Sequence, residues 1–146
     1  MKAEKECIHQ LHQAILSDQD PEETLWQTII AFQNRLFVTC SGLPFAFQVR
    51  KNRQGLYSGE LMINRKEGSK TLTRSSVMLA YHRVRSEMTF SGDRLIPGCF
   101  KGPKAIGQIF GISYIYSIFY VFGLIETPDK YKSIMQKGDE ESYGKN

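Results

Sequence analysis

The sequence predicts an α+β fold: two N-terminal helices, a three-stranded antiparallel meander, then a long helix and a C-terminal helix-turn-helix-like pair. Three shifts in pattern predict it. Apolar residues recur at helical spacing over the first 34 positions, alternate with polar ones between 36 and 64, and return to helical spacing from 73 onward. A chain of 146 residues suits one domain with a single core. That domain is assigned to residues 1–126, and the polar run 127–146 is expected to be a flexible tail.

Ile8, Leu11 and Ile15 share one face of a first helix over 3–17. Asp20-Pro21-Glu22-Glu23 reads as the start of a second helix, 21–34. Asp20 caps the free N–H groups, Pro21 suits the first turn, and the two acids suit the positive dipole end. This helix buries Leu25, Ile29 and Phe32. Leu36–Cys40 is a short apolar strand ended by the turn Ser41-Gly42-Leu43-Pro44. Phe45, Phe47 and Val49 then alternate with Ala46, Gln48 and Arg50, the period of a half-buried strand. Asn52-Arg53-Gln54-Gly55 is a second turn, and Tyr57–Asn64 a third strand. The sheet's solvent edge carries Arg50, Lys51 and Arg53. Residues 65–72 read as a basic loop. A helix over 73–89 follows, with Val77, Tyr81, Val84 and Met88 as its stripe and Arg74, His82 and Arg85 grouped beside it. Residues 90–102 read as a loop.

The net charge of +4 hides an asymmetry. Residues 1–34 hold two Lys against six Asp/Glu, a net of −4; residues 35–104 hold thirteen Lys/Arg against four acids, +9; residues 105–146 hold four against five, −1. A positive excess confined to the middle points to a polyanionic partner. The N-terminus mixes acids, bases and histidines and reads as no secretory signal. Cys7, Cys40 and Cys99 are an odd set at wide spacing, which predicts a reducing, cytoplasmic setting and no disulfide framework.

The longest uncharged stretch, Ala105–Ile125, admits three readings. As a helix it would span roughly 31 Å, enough for a bilayer core. Gln108, Ser113 and Ser117 are polar, however, three glycines weaken a helix, and Tyr114, Tyr116 and Tyr120 sit centrally rather than at interfaces. The sequence therefore predicts no membrane span. A core-forming helical hairpin is the second reading, and an aromatic run such as 114–122 also fits a strand. The third reading explains every glycine. Pro103 opens a short helix, Gly111 takes the left-handed turn, Ser113 caps a second helix with Ile115, Ile118, Phe119 and Phe122 as its stripe, and Gly123 ends it.

With Gly107, Gly111-Ile112-Ser113 and Gly123-Leu124-Ile125 in that order, residues 103–125 resemble a helix-turn-helix. The resemblance covers about a sixth of the chain. It implies a recognition helix, 114–122, entering a major groove.

The chain has no nucleotide-binding loop, dinucleotide fingerprint or metalloprotease motif, and Cys7, His9 and His12 lack the spacing of a metal site. A non-enzymatic protein without cofactor or metal is expected. The predicted function is nucleic-acid binding of a DNA-regulatory kind. Arg65, Lys66, Lys70, Arg74, His82, Arg83, Arg85, Lys101 and Lys104 would contact phosphates, and Tyr114, Tyr116 and Ser117 the groove. The alternative is a protein-interaction module, an inhibitor or accessory factor, using the aromatic helix 114–122 or the acidic N-terminal helices. A protein partner or a homodimer belongs to that reading.

Overall fold

A computed structural model describes residues 2–139 and has helices packed on one face of an antiparallel sheet. The first helix, α1 (Lys2–Ser17), buries Leu11 and Ile15. The second, α2 (Pro21–Ala31), has Pro21 at its first position and Glu22 and Glu23 in its first turn, as the sequence predicts. Asp20 does not cap it. Its backbone is left-handed and its side chain makes no capping bond; its carbonyl instead accepts from both the amide and the hydroxyl of Thr24. The helix also ends three residues early, since Asn34 turns left-handed and its amide donates to Phe47 O at the sheet edge.

The sheet has four strands in sequential order, not three: β1 (Phe37–Val38), β2 (Pro44–Lys51), β3 (Tyr57–Arg65) and β4 (Gly68–Thr73). The expected basic loop 65–72 is a tight turn at Lys66-Glu67 and a paired strand. Only Leu72 in β4 is apolar, so the strand shows almost no alternation to read. Register fixes the two faces. Phe47 pairs with Ile63, and Val49 with Leu61, which pairs with Leu72; all five enter the core. The other face is formed by the ladders Ala46–Asn64–Ser69 and Gln48–Met62–Thr71.

Thr73 caps the third helix, α3 (Arg74–Arg85), by accepting from Ser76 N at 3.2 Å. It buries Val77, Tyr81 and Val84 against the sheet and stops before 89 because a small hairpin follows, β5 (Thr89–Ser91) and β6 (Arg94–Ile96), within the expected loop. A single helical turn, α4 (Pro103–Ile106), precedes α5 (Ile112–Val121). Gly111, not Ser113, stands at the N-cap of α5. Residues 114–119 are all buried, and no helix among the described residues is long and apolar enough to cross a membrane.

The tail expected to be loose is folded as far as residue 139. Helix α6 (Asp129–Met135) buries Met135, and Tyr131 meets the Tyr116 ring edge-on. Arg35, with its side chain 7% exposed, joins Glu4 of α1 to Asp139 and lies over the Phe37 ring. The Asp139 carboxylate is thus tied to the body by a largely buried guanidinium. The final residues, 140–146, lie outside the described ones.

Gly111 has φ +76, and a Cβ there would collide with the Leu72 side chain in the core. Gly55, with φ +79, has open space around it. Urea unfolding of Gly111→Ala is expected to show a loss of about 2–4 kcal/mol, combining backbone strain with overpacking. Gly55→Ala is expected to lose only the strain, about 1–2 kcal/mol. Equal losses would mean that Leu72 does not fill that space.

Candidate nucleic-acid interface

The helix-turn-helix geometry does not form. Its first helix is one turn, and its second carries no Arg, Lys, Asn or Gln and is enclosed by the core. Tyr116 is fully buried and donates its hydroxyl to Phe100 O at 2.6 Å. Ser117 is also buried and donates to Val38 O at 2.6 Å. Tyr114 is covered as well, packing edge-on against Phe45, and its hydroxyl accepts from Arg65 at 3.0 Å. These three residues hold the fold and do not reach a groove. The stripe that suggested a recognition helix is a core stripe whose reverse side is also apolar or aromatic, which is how a fully buried helix reads.

The basic face of α3 is largely neutralised from within. Arg74 pairs with Glu23 at 3.2 Å and lies over the Trp26 ring, and His82 meets Glu22 at 2.6 Å. Two hydrogen bonds, from Gln27 and then from Arg74, hold the Glu23 carboxyl below the usual range. Arg85 lies over Phe90, and Arg74, His82 and Arg85 line a cleft of about 530 Å³ with Asp18, Asp20, Glu22 and Glu23. The acidic and basic segments that look like separate features in the sequence thus meet across α2 and α3. Arg83 is exposed but donates to Ile106 O at 3.3 Å, pinning α4. Lys101 and Lys104 are exposed around α4. Arg65 and Lys70 sit at the end of the sheet's core face, where Lys70 caps the Phe110 ring at 4.5 Å. Lys66 is exposed in the β3–β4 turn.

The residues that sequence reasoning missed lie on the other side of the sheet. Outward positions of β2, β3 and β4 carry Gln48, Arg50, Met62, Asn64 and Thr71, and no helix covers them. Gln48 donates to Asn34 Oδ1 at 3.0 Å, and Arg50 lies across the strands, donating to Thr71 Oγ1 at 3.2 Å. Glu60 is a looser partner of Arg50 at 3.9 Å. The hairpin tips carry Lys51 and Arg53 at one end and Lys66 at the other, and these three make no ion pair among the described residues. Residues 44–73 hold six Lys/Arg against two Glu, a net of +4. The signal was present in the alternation of Gln48 and Arg50 with Phe47 and Val49.

Comparison with protein-family models, curated proteins and solved structures returns no match. The reading therefore rests on the chemistry of the surface itself.

Burial pushes the hydroxyls of Tyr81, Tyr116 and Tyr120 above the usual tyrosine range. Each stays protonated in the folded chain at a pH where the unfolded chain ionises, near about 10. Stability is therefore level below that pH and falls as pH rises above it. Tyr116→Phe is expected to lose about 1–2 kcal/mol at neutral pH, because Phe100 O is left without its donor. Above about pH 10 the same variant should fall less steeply than the wild type, by up to about 1.4 kcal/mol per pH unit. Urea titrations from pH 8 to 11 measure both; an unchanged alkaline slope would contradict the buried hydroxyl.

Proposed function

We propose that this chain is a small nucleic-acid-binding protein whose contact surface is the open face of β2, β3 and β4. One observation carries the reading. The side of the sheet left uncovered by helices is polar, with Arg50 balanced by Glu60, and cations that make no ion pair among the described residues (Lys51, which lies over the Tyr57 ring, Arg53 and Lys66) stand at both hairpin tips. A polyanion laid along this face would meet Lys51 and Arg53 at one end and Lys66 at the other, with Arg50 between. Phosphate contacts of this kind supply most of the affinity and set the orientation. Arg74 and His82 of α3 contribute less, because Glu23 and Glu22 of α2 already pair with them. A regulatory role in the cytoplasm fits three free thiols and a nucleic-acid partner. The protein-interaction alternative is less favoured, since most of helix 114–122 is buried and Glu22 and Glu23 pair with α3, although Glu6 of α1 remains exposed.

Fluorescence anisotropy with a mixed-sequence 20-base-pair duplex tests the reading. Affinity should fall with salt at a log–log slope of about −3, for three or four phosphates neutralised. Reversing the tips together (Lys51→Glu, Arg53→Glu, Lys66→Glu) should weaken binding tenfold or more and flatten that slope. Lys101→Glu with Lys104→Glu should change it little. Absence of binding at low salt, or a tip variant that binds like the wild type, would overturn the proposal.

A further inference from the structure

We infer that the target is duplex DNA, entered through its major groove, and that Gln48, Arg50 and Asn64 read base edges there. The inference rests on the nucleic-acid reading above and narrows it in three steps.

The first step concerns strandedness. Proteins that hold unpaired bases stack them on exposed aromatic rings. The outward ladders of this sheet contain no ring at all: Ala46–Asn64–Ser69 and Gln48–Met62–Thr71 are short, polar or aliphatic. The nearest exposed ring, Tyr57, lines the α2 side with Trp26, and its hydroxyl accepts from Gln33. Phe110 stands beyond the sheet's end under Lys70. A base laid on this face finds nothing to stack on, whereas a base edge finds hydrogen-bonding groups.

The second step concerns groove shape. Three strands spaced about 4.8 Å apart place the outer strand axes about 10 Å from each other. The major groove of B-DNA, about 12 Å wide, admits two adjoining strands, so two of the three would enter it while the third lies along its rim. The corresponding groove of A-form RNA is too deep and narrow for side chains to read. β3 is the middle strand, so Met62 and Asn64 project from the centre of the face. Its nine residues extend about 27 Å, which separates Lys51 and Arg53 from Lys66 widely enough to engage backbone phosphates at separate points.

The third step concerns side-chain chemistry. Bidentate Arg to guanine and Asn or Gln to adenine are the pairings that major-groove geometry favours, and an apolar group suits the thymine methyl. Arg50, Gln48, Asn64 and Met62 supply that set on adjoining strands. Two of them are held across the face before any ligand arrives. Gln48 rests on Asn34, and the Arg50 guanidinium rests on Thr71. Asn34 is a neutral partner of Gln48, and Arg50 adds only a weak sulfur contact to Met62 and a loose, exposed pairing with Glu60 at 3.9 Å, so exchange for a base edge costs little and the side chains start close to position.

Selection from a random duplex DNA library at about 0.1 M salt, followed by anisotropy on the enriched sequence, tests this. The probes are the enriched duplex, a scrambled duplex, the single strand and a double-stranded RNA of the same sequence. A motif of a few base pairs should enrich, and its duplex should bind at least tenfold more tightly than each of the other three. Gln48→Ala and Asn64→Ala should each cost about five- to 150-fold on the enriched duplex and relax one position of the motif. On the scrambled duplex both variants should keep wild-type affinity and salt slope, which a merely destabilised protein would not. Salt-dependent binding with no motif, or tighter binding to single strand or RNA, overturns this inference and leaves the nucleic-acid reading standing. Failure to bind any of the four at low salt overturns both.

Discussion

The central residues of helix α5, 114–119, are all buried, and two of the polar groups they carry into the core donate to backbone carbonyls, Ser117 to Val38 and Tyr116 to Phe100. The first bond ties the helix to β1 and the second ties it to the segment leading into α4. Everything else is arranged around that seat. The inner face of the sheet supplies Phe45, edge-on to Tyr114, and Leu72, lodged against Gly111, with Phe47 and Ile63 buried in the same core. Each large side chain buried there contributes about 1.5–3 kcal/mol. Helices α1, α2, α3 and α6 close the remaining sides. Since the helices pack on the same side, the sheet is left with one covered and one open face, and the open face carries the interface proposed above.

Charge follows the same division. The acids at the start of α2 meet the cations of α3, and Arg35 is held between Glu4 and Asp139. These pairs use positive charge to hold elements together. Among the described residues, other positive charge, including Arg83, Arg85, Arg94, the hairpin tips and the lysines around α4, makes no ion pair, and the proposed interface is the part of it that adjoins an open, hydrogen-bonding face. Exposed pairs such as His82–Glu22 contribute little stability on their own. Their consequence is to occupy Arg74 and His82, two of the four α3 residues that could otherwise meet a polyanion.

The helices α1, α2 and α3 and the pairing of β2 with β3 were legible because long apolar periodicity and turn residues agree there. The fourth strand was not, because an edge strand with a single inward residue has almost no alternation to show. The tail was misread because polarity describes the outside of α6, while Met135 and the Asp139–Arg35 pair attach it. The helix-turn-helix likeness came from glycine punctuation that is real in the backbone: Gly111 and Gly123 both have positive φ. Punctuation does not reveal which helix faces solvent. Of the expected contact residues, Lys66 stands exposed at the interface now proposed, Arg65 and Lys70 lie at the end of the opposite, core face, and Tyr114, Tyr116 and Ser117 belong to the core. Arg74 and His82 were not legible as paired because their partners, Glu23 and Glu22, lie more than fifty residues away in sequence.

The central claim is that the open sheet face, and not the uncharged helix, is where this protein meets its partner. Backbone amide shifts followed during titration with a short duplex DNA test it directly. The account predicts that the largest shifts fall within 46–53 and 60–71, while amides of 112–121 stay in place. Shifts concentrated in α5 or in α3, with the sheet unmoved, would contradict it.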